Sequence, residues 1–334
     1  MQAIIMEQCG GPEVLRLTDV PIPEITASQI RVRLHAAGVN PVDTKLRRNG
    51  TYFPADMPAI LGCDGAGIVD AVGSEVTRFQ PGDAVYYCYG GLGKKGTGNY
   101  AAYAIVEEAF AARKPDCLDF VEAAAAPLVL ITAWESLFDR AHLATGDRVL
   151  IHAGAGGVGH VAVQLARITG TEIATTVSSD EKAAFVTGLG ADRAINYRQE
   201  DFAQSVLDWT NGMGVDVAFD TVGGDVFNKT IPAVRFYGRL VTILQAPADA
   251  DWKAARLRNM TICQELMLSP QVYGLEHAAR HHGDILERCG RWFEEGRLNI
   301  HVAQCLGLAE AARAHEHIEC GGMTGKIVLK IDGD

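Results

Sequence analysis

No two of the eight cysteines form a C-x-x-C pair; they fall at 9, 63, 88, 117, 263, 289, 305 and 320. Thiols scattered through 334 residues are expected to be reduced, as in a cytoplasmic protein, rather than to form a disulfide framework. Basic runs are missing as well. Lys and Arg number 30 against 41 Asp and Glu, a net charge of −11, which speaks against a nucleic-acid or anionic-membrane partner. The longest largely apolar run, 123–134, contains Pro127 and is too short to span a bilayer. The N-terminus, MQAIIMEQCGG, lacks the basic start and apolar stretch of a signal peptide.

What is present is a soluble globular composition, 48% apolar and 21% charged, long enough for two domains. The most informative stretch runs from Arg148 to Asp192. Val149, Leu150 and Ile151 read as a strand buried on both faces. Gly154, Gly156 and Gly159 follow with G-x-G-x-x-G spacing. Val158, Val161, Ala162 and Leu165 then repeat at helical spacing, Gly170 is placed to end the helix, and Glu172–Val177 reads as a second strand. A glycine triplet between strand and helix lets backbone N–H groups approach a pyrophosphate at the positive end of the helix. Dinucleotide binding is therefore expected.

Residues 1 to about 120 are strand-rich: Ile30, Val32, Leu34 and Ala36 alternate with polar residues, and 65–72, 84–87 and 100–106 read as further strands. From Val121 the pattern changes. A helical segment, 122–140, breaks at Pro127. Strand–helix units then repeat through 194–196 with 200–209, 215–222 with 225–234, 240–244 and 261–268, which predicts a doubly wound parallel sheet. A helix over 275–296 and a final strand over 325–331 follow. With no helix after it, that strand most economically rejoins the first, β-rich domain.

Six segments carry a resemblance: GGPEVL (10–15), GVNPVDTKLR (38–47), ILGCDGAGIV (60–69), AAPLVLITAWESL (125–137), IHAGAGGVGHVAVQLA (151–166) and FDTVGG (219–224). They resemble the zinc-independent, zeta-crystallin-like quinone oxidoreductases of the medium-chain dehydrogenase/reductase superfamily over nearly the whole chain. The match is weakest between Met267 and Cys305. The resemblance implies an α/β protein in which a GroES-like, β-rich catalytic domain (1–122 and 269–334) is split by an inserted Rossmann domain (123–268). It also implies a cleft between the two and a homodimer.

Zinc-bearing relatives carry Cys where this chain has Asn40, and Gly-His-Glu where it has Gly62-Cys63-Asp64. Catalytic zinc takes three protein ligands, and Cys63 with Asp43 or Asp64 supplies at most part of that set. Cys88 stands alone where a structural zinc lobe would hold four cysteines. No metal is expected. The His277/His281/His282 and His315/His317 groups read as helix-face histidines rather than ligands.

Without a Lewis acid, the acceptors that suit such a site are those whose developing charge is delocalised: quinones and α,β-unsaturated carbonyls. Asn40 is the candidate donor to a substrate oxygen or the nicotinamide ribose, with a plain turn residue before Pro41 as the alternative. Tyr52 matches a pocket position and is a candidate proton donor, or else an aromatic loop anchor. Lys45 replaces the family's aromatic and either stabilises an anionic product or faces solvent. For the cofactor, the resemblance points to Thr132 and to Ala155, Gly156, Gly157 and Val158 around nicotinamide and pyrophosphate, to Ser178, Lys182 and Tyr197 at the adenosine end, and to Leu244. Ser178 with Glu181 would also make a capping box. An NAD site places a carboxylate at the end of the second strand; Thr175-Thr176-Val177-Ser178-Ser179 offers none, so NADPH is expected. The expected activity is NADPH-dependent reduction of a small quinone or enone. An enoyl-thioester reductase, a non-catalytic nucleotide-binding protein and a zinc-dependent alcohol dehydrogenase are the alternatives.

Overall fold

A computed structural model describes residues 1–331. The chain begins with strands β1 (Gln2–Met6), β2 (Leu15–Asp19) and β3 (Gln29–Val39), helix α1 (Pro41–Asn49), and strands β4 (Ala59–Ile60), β5 (Asp64–Val72), β6 (Ala84–Cys88), β7 (Tyr103–Glu107) and β8 (Ala111–Arg113). Helices α2 (Phe120–Ala125) and α3 (Pro127–Trp134) lead into a π-helical turn, Glu135–Arg140. Then come β9 (Arg148–Ile151), α4 (Gly157–Thr169), β10 (Glu172–Val177), α5 (Asp180–Gly188), β11 (Arg193–Asn196), α6 (Phe202–Trp209), β12 (Val215–Asp220), α7 (Asp225–Thr230), β13 (Val234–Thr242), α8 (Trp252–Leu257) and β14 (Thr261–Gln264). The chain closes with α9 (Ser269–Tyr273), α10 (Glu276–Glu294), β15 (Val302–Gly307), α11 (Ala311–Cys320) and β16 (Lys326–Lys330).

These elements form two compact units: Met1–Leu128 with the chain from Leu268 onward, and Val129–Met267. In the second unit six parallel strands stand in the order β11-β10-β9-β12-β13-β14, the chain adding β10 and β11 on one side of β9 and β12 to β14 on the other. Leu150, Ala174, Ile195, Ala218 and Leu240, one from each of five strands, meet in a single buried core. Strands covered on both faces need such continuous apolar runs. The first unit holds a sheet ordered β15-β16-β3-β5-β6-β8, with β7 also on β3, and a smaller sheet β2-β1-β4. β16 runs antiparallel to β3, Ile327 opposite Val39. The long helix α10 buries Ala279, His282, Ile285, Leu286, Cys289 and Phe293. Tyr86 Oη donates to Leu286 O at 2.5 Å, tying that helix to β6.

The split β-rich unit and the parallel sheet expected from the sequence are both present. Three local expectations change. The strand expected from Tyr100 starts at Tyr103, because Tyr100–Ala102 serve β1 instead: Ile4 N–H donates to Tyr100 O and Ala3 bridges Ala101. The helix expected to reach Val234 stops at Thr230, ahead of a 3-10 turn containing Pro232, and β13 begins at Val234 rather than 240. Its first half escapes an apolar pattern because Phe236 and Tyr237 are exposed and Tyr237 has a positive φ of 57°. Finally, α5 is capped by Ser179, whose hydroxyl accepts from Lys182 N–H, and not by Ser178.

Candidate cofactor and active site

β9 ends at Ile151 and α4 is capped by Gly156, so the glycines lie in the turn between them. Two threonines of β10 pin that turn. Thr176 Oγ1 accepts from Ala153 N–H at 3.0 Å, Thr176 O accepts from Gly154 N–H at 3.1 Å, and Thr175 Oγ1 donates to Ile151 O at 2.6 Å. The three glycines have different physical jobs. A Cβ on Gly154 would lie 2.0 Å from Thr175 Oγ1, and one on Gly159 would lie 2.2 Å from Ala153 O. Those positions are glycine so that turn, strand and helix can touch. A Cβ on Gly156 would meet only Ala153 O, at 3.1 Å. This position is open, at the N-terminus of a 13-residue helix whose first-turn N–H groups have no intrahelical acceptor. The cradle fits a pyrophosphate. Ala155, Gly157 and Val158 share it.

Behind the turn lies His152, buried. Thr230 Oγ1 donates to Val226 O, so it accepts from His152 Nε2–H at 2.8 Å, leaving Nδ1 to accept from Thr176 Oγ1 at 3.2 Å. Burial lowers its pKa to about 4, opposed by the charge of Asp220. It is a neutral strut.

The remaining cofactor candidates stand beyond the ends of these strands. Ser178 follows β10 directly, and Tyr197 follows β11, its N–H donating to Val177 O at 3.1 Å. Lys182 lies in the first turn of α5. Asp180, two residues after Ser178, accepts from Asn196 Nδ2 at 3.0 Å and Gln199 Nε2 at 3.4 Å. Leu244 follows β13 and packs on Gly223, where an added Cβ would come within 2.7 Å of its Cδ1. Thr132 is buried on α3. One turn on, Glu135 shares a hydrogen bond with Glu265, which also accepts from Arg140 Nε at 2.7 Å. Burial first, then the charge of Glu135, raises Glu265 from 4.5 to about 7.

In the other unit, Asn40 caps α1 and is fully buried. Its N–H donates to Asp43 Oδ2 at 2.8 Å, and its Nδ2 donates to Asp64 Oδ2 at 2.9 Å. Its Oδ1 accepts from Lys326 Nζ. Lys326, itself buried, also donates to Val39 O at 3.2 Å and lies 3.7 Å from Asp64 Oδ2. Asp64 Oδ1 accepts from Leu128 N–H at 2.8 Å. Asp43 receives Tyr100 Oη at 3.0 Å and the Cys63 thiol at 3.7 Å, and Tyr100 Oη also meets His315 Nε2 at 3.2 Å. Burial raises Asp43 to about 6, against the bonds from Asn40 and Tyr100 that favour its charged form. Burial, reinforced by Asp43, pushes the Cys63 thiol well up, so it stays protonated. Burial, with the charge of Arg47 second, lowers His315 to about 3. Tyr52, 42% exposed, and Lys45, on the outer side of α1, are not part of this network.

The chain matches the alcohol dehydrogenase GroES-like domain over residues 26–116 and the zinc-binding dehydrogenase family over 189–329. It is 36% identical to a quinone oxidoreductase of Pseudomonas aeruginosa across 327 residues, 96% of each chain. It is 30% identical to a human quinone oxidoreductase across 98% of this chain and 97% of that one. The chain belongs to the quinone oxidoreductase branch of the medium-chain dehydrogenase/reductase superfamily. Among solved structures, Escherichia coli quinone oxidoreductase complexed with NADPH superposes with a TM-score of 0.86 at 27% identity, covering 99% of this chain and all of that one. This member of the superfamily is an oxidoreductase. No helix among the described residues is long and apolar enough to cross a membrane.

The buried polar cluster of this medium-chain dehydrogenase/reductase was only half visible in its sequence. Asn40, Asp43, Cys63 and Asp64 stood in matched motifs; Tyr100, His315 and above all Lys326 did not. The available signal for Lys326 was a lysine directly before the apolar run Ile327–Leu329. Thr175 and Thr176, noticed only for not being carboxylates, hold the glycine turn.

Proposed function

We propose that this oxidoreductase uses NADPH to reduce quinones or α,β-unsaturated carbonyls without a metal ion, as a cytoplasmic homodimer. The observation that carries the reading is the Asn40 cluster. A catalytic zinc site needs three protein donors free to turn toward the ion. Here the Cys63 thiol is bonded to Asp43, both ends of the Asn40 amide are engaged, by Asp64 and by Lys326, and Lys326 Nζ lies 3.7 Å from Asp64 Oδ2. These residues do not fit zinc. A group able to stabilise a free alkoxide is therefore missing, and acceptors with delocalised charge fit the hydrogen-bond donors that remain.

Bound NADPH supplies the hydride. Gly156, Gly157 and the first turn of α4 hold its pyrophosphate, and Ser178, Lys182 and Tyr197 supply hydrogen bonds and positive charge for the 2′-phosphate end. Asn40 Nδ2 donates to the acceptor's oxygen, strengthening as negative charge gathers there. Tyr52 or solvent delivers the proton, and Lys45 faces solvent.

The test is a panel of benzoquinones, conjugated enones and saturated aldehydes, followed by NADPH oxidation. Rapid turnover of the conjugated acceptors alone is expected. Comparable turnover of a saturated aldehyde overturns the reading. Light scattering checks the dimer.

A further inference from the structure

Asn40 and Lys326 lie 286 residues apart, yet pairing of β16 with β3 sets them in contact. The amide of an asparagine is nearly symmetric in shape, so only its partners decide which way it faces. Here the partners are opposite in kind: an ammonium at Oδ1 and a carboxylate, Asp64, at Nδ2. Turning the amide over would set its oxygen against the carboxylate and its NH2 against the ammonium. The backbone is fixed too, by Asn40 N–H on Asp43, whose carboxylate is held by Tyr100 and Cys63. One Nδ2 hydrogen is taken by Asp64, and the second then points in a single direction.

We infer that Lys326 is a positioning residue for substrate: by holding Asn40 Oδ1 it fixes the direction in which the second Nδ2 hydrogen is donated to the acceptor's oxygen. The inference rests on the reading of Asn40 as that donor. Lys326 touches no substrate; it acts through the amide, and Asp64 both completes the lock and balances the buried charge.

The experiment has two readouts. On the protein without cofactor, the 15N-bound side-chain amide protons of Asn40, assigned by their loss in Asn40→Ala, should exchange slowly with solvent in wild type and markedly faster in Lys326→Met. In turnover with NADPH and a benzoquinone, Lys326→Met should lower kcat roughly ten- to a hundred-fold, the range below loss of a whole oxyanion donor. KM for NADPH should move by less than about twofold, since uniform binding is untouched. Lys326→Arg should recover part of kcat. In the Asn40→Ala background, Lys326→Met should change kcat by less than about twofold, because coupled residues are not additive. Where Lys326→Met fails to fold, because Asp64 is left as an unpaired buried charge, Lys326→Met with Asp64→Asn is read against Asp64→Asn alone for the same readouts. An unaltered Asn40 amide signal, or the same fold-loss in both backgrounds, overturns the role of Lys326 and leaves the functional reading intact. Absence of quinone and enone turnover in wild type overturns the functional reading instead, and amide exchange alone then decides the lock.

Discussion

A single methyl group separates two kinds of glycine in the turn after β9. Gly154→Ala drives a Cβ to within 2.0 Å of Thr175 Oγ1 and should destabilise the protein by about 1–3 kcal/mol, read as a lowered Tm. Gly156→Ala meets only one atom, at 3.1 Å, with φ of −77°, so its Tm should stay near wild type. Its methyl nonetheless occupies the approach to the helix N-terminus, and NADPH binding, measured by fluorescence titration, should weaken about tenfold or more. The other residue-scale test concerns the phosphate. A charge-assisted hydrogen bond is worth roughly 1.5–3 kcal/mol, so Lys182→Ala should weaken NADPH binding about ten- to a hundred-fold and leave NADH almost unaffected. Equal loss for both cofactors would assign Lys182 to the fold alone.

At the scale of elements, the parallel strands and α4 were legible because each carries its own period: Val149–Ile151 as an unbroken apolar run, α4 as an i, i+3, i+4 stripe closed by Gly170 in the left-handed conformation. β15 and the first half of β13 were not, since β15 is largely exposed, β13 turns Phe236 and Tyr237 outward, and neither shows such a run. The same division holds for the candidate site. The glycine turn is local in sequence, whereas the Asn40 cluster is assembled by strand pairing between the two ends of the chain, which no short pattern records. The Glu135–Glu265 contact, made where the π-helical turn meets the end of β14, escaped for the same reason. It has a consequence for pH. Glu265 sits near 7 in the fold against 4.5 normally, so the fold prefers it protonated. Its stabilising contribution is complete below about pH 4.5 and is lost as pH rises through about 7. Asp43, near 6 against 3.8, acts in the same direction. Tm should therefore fall between pH 5 and 8 by an amount that Glu265→Gln reduces; a profile unchanged by that substitution would remove Glu265 from the account.

For the molecule as a whole, the Asn40 amide committed to Asp64 and Lys326, and the Lys326–Asp64 pair itself, predict a metal-free enzyme. Purified protein should contain no stoichiometric zinc by elemental analysis, and activity should persist in chelator; about one zinc per chain, with activity lost on its removal, contradicts this. The pairing of β16 with β3 also orders events in time. A ribosome delivers the chain from its N-terminus, and domains generally fold as units as they emerge. Everything needed for the parallel sheet has been synthesised once Gln264 appears. The β-rich sheet is different: β3 waits for a neighbour whose lysine is 287 residues away, and until it arrives Asp64 and Asn40 have no cation. A nascent or truncated chain ending before Lys326 should thus display a finished, protease-resistant centre flanked by an N-terminal third that is still open to cleavage.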